Sequence, residues 1–134
     1  PYDERIKITS SGAAYEVLLN TWEENRIELL EQFRVLLLDQ QNHCLAVSTI
    51  ATGGVSGCLA DPRIIFATAL KAKASSLILA HNHPSGNVQP SQADQDLTRK
   101  LRDGGRLLDI AVLDHLIVTP RTYLSFADEG LMPG

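Results

Sequence analysis

The stretch Ser76 to Ala80, SLILA, is an apolar run of strand length with no polar alternation, and it stops abruptly at a histidine. Such a run reads as a strand of the buried type, which has to be covered by other layers of structure. A second apolar run lies in Gln32 to Asp39, with FRVLLLD inside it. The polar cluster Gln40-Gln41-Asn42-His43 reads as a turn, and Cys44 to Ala51 as the partner strand of a hairpin. Asp109 to Thr119 and Thr122 to Phe126 read as two further strands.

Helical patterns fall between these runs. Ser10 to Arg26 carries Tyr15, Val17, Leu18, Leu19 and Trp22 at near-helical spacing. Gly53, Gly54 and Gly57 mark a loop. Asp61-Pro62 then opens a helix, with Asp as N-cap and Pro at the first helical position, running to about Ala74. His81 to Pro90 holds two prolines and a glycine and is expected to be a loop. Ser91 to about Leu108 is the third helix. The expected order is α-β-β-α-β-α-β-β, an α/β or α+β fold with a mixed sheet flanked by helices.

A chain of 134 residues, 44% of them hydrophobic, is large enough for one core, and residues 1–134 are expected to form a single domain. No apolar run reaches the length of a membrane span and no charged-then-apolar leader is visible, so neither membrane insertion nor secretion is expected. The first residue is Pro1, which suggests an excised or truncated chain. The net charge of −4 argues against a protein that coats phosphate backbones. Arg99, Lys100, Arg102 and Arg106 are a local exception, read as a solvated helix face with a nucleic-acid contact as the sharper alternative. Cys44 and Cys58 form no CxxC and no disulfide framework, and read as reduced core residues of a cytoplasmic protein.

The chemistry is concentrated in residues 77–97, LILAHNHPSGNVQPSQADQDL. His81 and His83 stand two apart at a strand end, so in extended chain both imidazoles point to one side. Pro84 favours the extended conformation for His83. Eleven residues on, Asp94 falls in the first turn of a helix, where a carboxylate is favoured. Two imidazoles and one carboxylate suit zinc and leave a fourth position open, the pattern of a catalytic site. Each residue also has a plainer reading. A histidine at a strand end is usually just hydrogen-bonded, and Ser91 with Asp94 makes a capping-box start for the helix.

HNHPSGNVQPSQAD resembles the H-x-H, seven residues beginning with Pro, S-x-x-D pattern of the JAMM (MPN+) metalloproteases. With DHLIV at 114–118 and YLSFADEG at 123–130, the chain resembles the bacterial RadC family from about Leu30 to Gly130. The resemblance implies a JAMM/MPN (cytidine-deaminase-like) core, with residues 1–30 as a helical lead-in and no helix-hairpin-helix region of the kind typical RadC proteins carry. It also implies that His81, His83 and Asp94 bind one zinc ion per chain and that Ser91 supports an oxyanion. The pattern requires an upstream glutamate as well. Glu31 matches best, and Glu28, Glu24 and Glu23 are weaker candidates.

The reaction so implied is hydrolysis of an amide or isopeptide bond, with a zinc-activated water whose pKa falls toward roughly 7. Glu31 would act as general base and then general acid, and Ser91 would share the oxyanion charge. Two alternatives compete with it: a DNA-repair-associated module, as nuclease or without turnover, and a metal-free scaffold. The substrate, a peptide or protein, is unspecified, and a homodimer is compatible with the sequence. Asp114 and His115 face opposite sides of their strand, which leaves no direct relay between them. Either could stand behind the metal site, and a structural histidine is the plainer reading of His115. His43, in a turn, reads as solvated.

Overall fold

A computed structural model describes residues 5–23, 27–53 and 60–134. The elements are α1 (Ser11–Thr21), β1 (Gln32–Leu38), β2 (Cys44–Thr52), α2 (Pro62–Lys71), β3 (Ser76–Asn82), α3 (Gln92–Leu107), β4 (Ala111–Val118) and β5 (Tyr123–Ser125). They form one five-stranded mixed sheet of order β2-β1-β3-β4-β5, flanked by helices. β3 and β4 are parallel, and α3 makes the crossover between them, while the other neighbours are antiparallel. The α/β architecture and element order agree with the sequence reading.

The local signals act as expected. Asp61 caps α2 by accepting from Arg63 N at 2.9 Å, with Pro62 just inside the helix. Ser10 caps α1 by accepting from Ala13 N at 3.1 Å. The apolar runs β1 and β3 are buried along their whole length, and period 2 splits their side chains between two cores. Leu36, Leu38, Ile78 and Ala80 pack with Leu18 and Trp22 of the α1 side. Val35, Leu37, Leu77 and Leu79 pack with Ile65 of α2 and Leu101 of α3 on the other side. The stretch expected as a lead-in thus contributes α1 to one of the two cores.

Three local differences follow from pairing. β3 continues through His81 and Asn82, where the sequence predicts a loop, because Phe33 of β1 and Ile117 and Val118 of β4 supply ladder partners there. α1 ends at Thr21, where the Trp22 N–H turns back to Leu19 O. A bulge in β4 opposite Leu77 and Ile78 shifts the alternation, so Val112 and His115 share the α3 side while Asp114 does not. α3 approaches β4 closely through Gly105, where a Cβ would collide with Ile110 O.

His43 is not simply solvated. It bridges to Lys7, and its ring lies 3.5 Å from the Asp39 carboxylate. Cys44 is a free, half-buried thiol packed against the α1-side core. Cys58, Gly54, Gly57 and Glu24 lie outside the described residues. Among the described residues, no helix is long and apolar enough to cross a membrane.

Candidate metal centre

The site forms where the end of β3, the start of β1 and the start of α3 meet. Phe33 pairs with His81 across the ladder, and their rings stack at 6.0 Å with planes 7° apart, walling one side. His81 is 2% exposed. Its Nε2 lies 2.9 Å from Nε2 of His83, as the shared strand side requires. His83 Nδ1 lies 2.7 Å from Asn87 O. A carbonyl only accepts, so Nδ1 carries the proton of the neutral ring and Nε2 keeps its lone pair.

Asp94 is aimed by its helix cap. The Ser91 N–H donates to Asp94 Oδ2 at 2.8 Å, and the Asp94 N–H donates to Ser91 Oγ at 3.0 Å, a complete capping box. The carboxylate thereby stands 3.3 Å from Nε2 of His81 and 3.5 Å from Nε2 of His83. The capping reading and the ligand reading of Ser91 and Asp94 are compatible, since the box fixes the rotamer that points Asp94 at the histidines. Capping uses a lone pair of Ser91 Oγ and leaves its hydroxyl proton available to a further acceptor.

The two imidazole nitrogens thus lie 2.9 Å apart, with Asp94 Oδ1 3.3 Å from that of His81 and Asp94 Oδ2 3.5 Å from that of His83. Ligand atoms around a tetrahedral metal with bonds of 2.0–2.1 Å stand about 3.3–3.4 Å apart, the same range as these separations. Lone pairs held this close repel unless a cation, proton or metal, lies between them. Hydrogen bonding to Asp94 holds His83 above its ordinary value, against the effect of burial. Burial would raise the Asp94 carboxyl, but the His81 and His83 rings beside it outweigh burial and hold that carboxyl well below the usual range.

Glu31, half-buried immediately before β1, offers a carboxylate oxygen within 4.8 Å of imidazole nitrogens of both His81 and His83. Glu28 and Glu23 are exposed and belong to no such group among the described residues. The element that delivers Glu31 is anchored by Asn82, which sequence reasoning missed. Asn82 is fully buried, and its Nδ2 donates to Ile27 O at 2.7 Å and to Leu30 O at 2.8 Å. Its Oδ1 accepts from Gln32 N at 2.7 Å. The clamp grips the chain on either side of Glu31. A polar residue between two histidines of a buried strand was the only trace of it.

His115 and Asp114 separate as the strand geometry required. Nε2 of His115 lies 2.8 Å from Nδ1 of His81, so it stands directly behind a candidate ligand. Its Nδ1 lies 2.6 Å from Thr98 Oγ1 of α3, a residue with no signal in the sequence. Burial, with His81 adding to it, pushes His115 well below its ordinary value. Asp114 turns to the other face, where it accepts from Ser125 Oγ, Ala127 N and His115 N. In the basic group, Arg99, Lys100 and Arg106 are exposed, whereas Arg102 is partly buried and donates to Val112 O at 3.3 Å.

A mixed sheet flanked by helices, with a histidine pair at the end of a central strand and Glu31 within reach of both rings, defines a class: an α/β domain with a candidate metal-binding group. A family model described as the RadC-like JAB domain matches residues 8–131, and the chain belongs to that family. It is 42% identical to a UPF0758 protein of Flavobacterium johnsoniae over 93% of this chain and 53% of that protein. It is 44% identical to one of Symbiobacterium thermophilum over 97% of this chain and 54% of that protein. With the UPF0758 protein YkfG of Escherichia coli it shares 49% identity over 76% of this chain and 65% of that protein. The chain spans about half the length of the first two of these relatives.

Proposed function

We propose that this chain is a zinc-dependent hydrolase of amide bonds, peptide or isopeptide, with His81, His83 and Asp94 as ligands. The observation that carries this reading is the convergence of His81 Nε2, His83 Nε2 and the two Asp94 carboxylate oxygens, with the Glu31 carboxylate close to both rings. Both carboxylates can reach the imidazoles. Asp94 is taken as the ligand because the capping box already locks it toward both rings, whereas Glu31 sits on a chain segment with no such lock on its side chain. Bound zinc would polarise a water and lower its pKa toward roughly 7.

The chain's own residues divide the remaining work. Glu31 takes the proton of the attacking water and returns it to the leaving nitrogen. The Ser91 hydroxyl proton, not used by the cap, donates to the oxygen on which negative charge gathers. Phe33 and the core behind His81 exclude water from the inner side of the centre. Hydrolysis is preferred to DNA association because the chain is acidic overall and Arg102 is committed to a backbone carbonyl.

The test is metal content together with cleavage of a peptide library by the purified protein. Glu31→Gln is expected to keep about one zinc per chain and lose hydrolysis. A Glu31→Gln variant that cleaves as fast as the parent refutes the role of Glu31.

A further inference from the structure

We infer that His115 and Thr98 form a directional hydrogen-bond relay that sets the tautomer of His81 and so presents its Nε2 lone pair to the metal position. The inference deepens the metal-centre reading above and rests on it. Neither residue touches the metal position, so both are positioning residues.

The argument is a proton count that starts from a group with no choice. Thr98 Oγ1 lies 2.7 Å from the backbone carbonyl of Asp94, one turn earlier in α3. The carbonyl can only accept, so the single hydroxyl proton of Thr98 is committed to it. Thr98 Oγ1 also lies 2.6 Å from Nδ1 of His115, and with its proton committed it can only accept there. Nδ1 of His115 therefore carries the proton of that buried neutral ring, and its Nε2 becomes an acceptor. The partner of that Nε2, at 2.8 Å, is Nδ1 of His81, which must donate. One proton per neutral imidazole leaves Nε2 of His81 bare, and that is the atom facing His83 and Asp94.

The relay begins on the backbone of one proposed ligand, Asp94, and ends on the ring of another, His81. Two rings hold its middle in place: His115 stacks on Phe126 at 4.7 Å and meets the edge of Phe33 at 5.7 Å. Its far end is a helix carbonyl, and both Thr98 and His115 are fully buried. A chain that stops inside a helix moves no proton to solvent, so orientation is what it can supply. A metal-bound histidine commonly donates its second N–H to a carboxylate, carbonyl or water, and loss of that partner costs about 10–100-fold in metal affinity. Here the acceptor is a neutral imidazole whose own tautomer is fixed from behind.

The consequence separates positioning from plain packing. Without metal, His81 can move its proton to Nε2, where Asp94 accepts it, so a broken relay costs the metal-free protein little. With metal, Nε2 must be bare and the proton must sit on Nδ1, so the broken relay is felt only on binding. Thr98→Val keeps the shape of the side chain but removes its oxygen, leaving His115 free to protonate Nε2 and oppose His81. Thr98→Ser restores the oxygen.

The experiment measures zinc affinity by competition with a chromogenic chelator, metal-free melting temperature, and the imidazole nitrogen shifts of His81 and His115 by NMR. Thr98→Val is expected to bind zinc about 10–100-fold more weakly while its metal-free form stays folded, with Thr98→Ser close to the parent. In the metal-free parent His115 should be protonated on Nδ1, and in Thr98→Val it should shift toward Nε2. Equal zinc affinity in Thr98→Val and the parent overturns the relay, as does a parent His115 protonated on Nε2. If the parent takes up no zinc at all, the metal-centre reading fails by itself, and the His115 tautomer still decides whether the relay exists.

Discussion

Adjacent residues of β4 enter two buried polar clusters of opposite character. Asp114 is an acceptor surrounded by donors: the Ser125 hydroxyl and the backbone N–H groups of His115 and Ala127 all point at it. The cluster is closed, ties β4 to the turn after β5, and presents no group to a ligand. On the other face, His115 backs a centre where two imidazole nitrogens and a carboxylate converge. Burial pushes Asp114 up against its three hydrogen bonds, whereas Asp94 is held down by the two histidines despite burial. A polar cluster that satisfies itself is structural. One that gathers lone pairs toward a single point has a use for a cation.

That contrast can be broken most directly by deletion. Asp94→Ala and His83→Ala are each expected to take zinc from about one ion per chain to none, measured by metal analysis after dialysis, while the protein stays folded. Asp114→Ala should do the opposite. It strands two buried donors, the Ser125 hydroxyl and the His115 N–H, each costing about 1–3 kcal/mol, so denaturant unfolding should show a loss of about 2 kcal/mol or more, with zinc retained by the folded fraction. A folded Asp114→Ala protein that cannot bind zinc would erase the distinction between the clusters.

Asn82→Ala tests the seam between them. It frees the segment around Glu31 and should cost about 2 kcal/mol, with zinc retained and hydrolysis reduced. Ser91→Ala is milder for stability, about 1 kcal/mol from loss of the N-cap, again read by denaturant unfolding.

The pH dependence sharpens the same comparison. His83 is held above its ordinary value of 6.5, so it stabilises the metal-free protein fully below that pH and the gain is lost as pH rises through the folded value. Asp94 is held below its ordinary 3.8, so its gain is present above that pH and is lost on further acidification. The metal-free melting temperature should therefore fall on going upward from pH 6.5. Zinc needs the neutral imidazole, so the rise in melting temperature on adding zinc should grow over the same interval. A zinc increment that shrinks there contradicts the ligand role of His83.

Much of the fold was legible in local signals. Asp61-Pro62 and the Ser91 cap opened α2 and α3 where expected, and the unbroken apolar runs of β1 and β3 announced a sheet covered on both faces. His81 and His83 were readable as a pair because alternation along a strand is a local rule. The continuation of β3 through Asn82 was not, because it depends on partners in β1 and β4 far away in the sequence. Nor was the bulge in β4, which puts His115 on the site face together with Val112.

By itself the sequence determined the order of helices and strands, the two imidazoles on one side of a strand, and a carboxylate in the first turn of α3. Those features follow from backbone periodicity and capping, which act within a few residues. Tertiary structure alone decided what stands behind and beside them. Asn82 grips the chain around Glu31 across 50 residues and more, and Thr98 and His115 line up behind His81 from two different elements. Hydrogen-bond networks of this kind are set by the packing of α3 against the sheet, and no spacing within one segment encodes that.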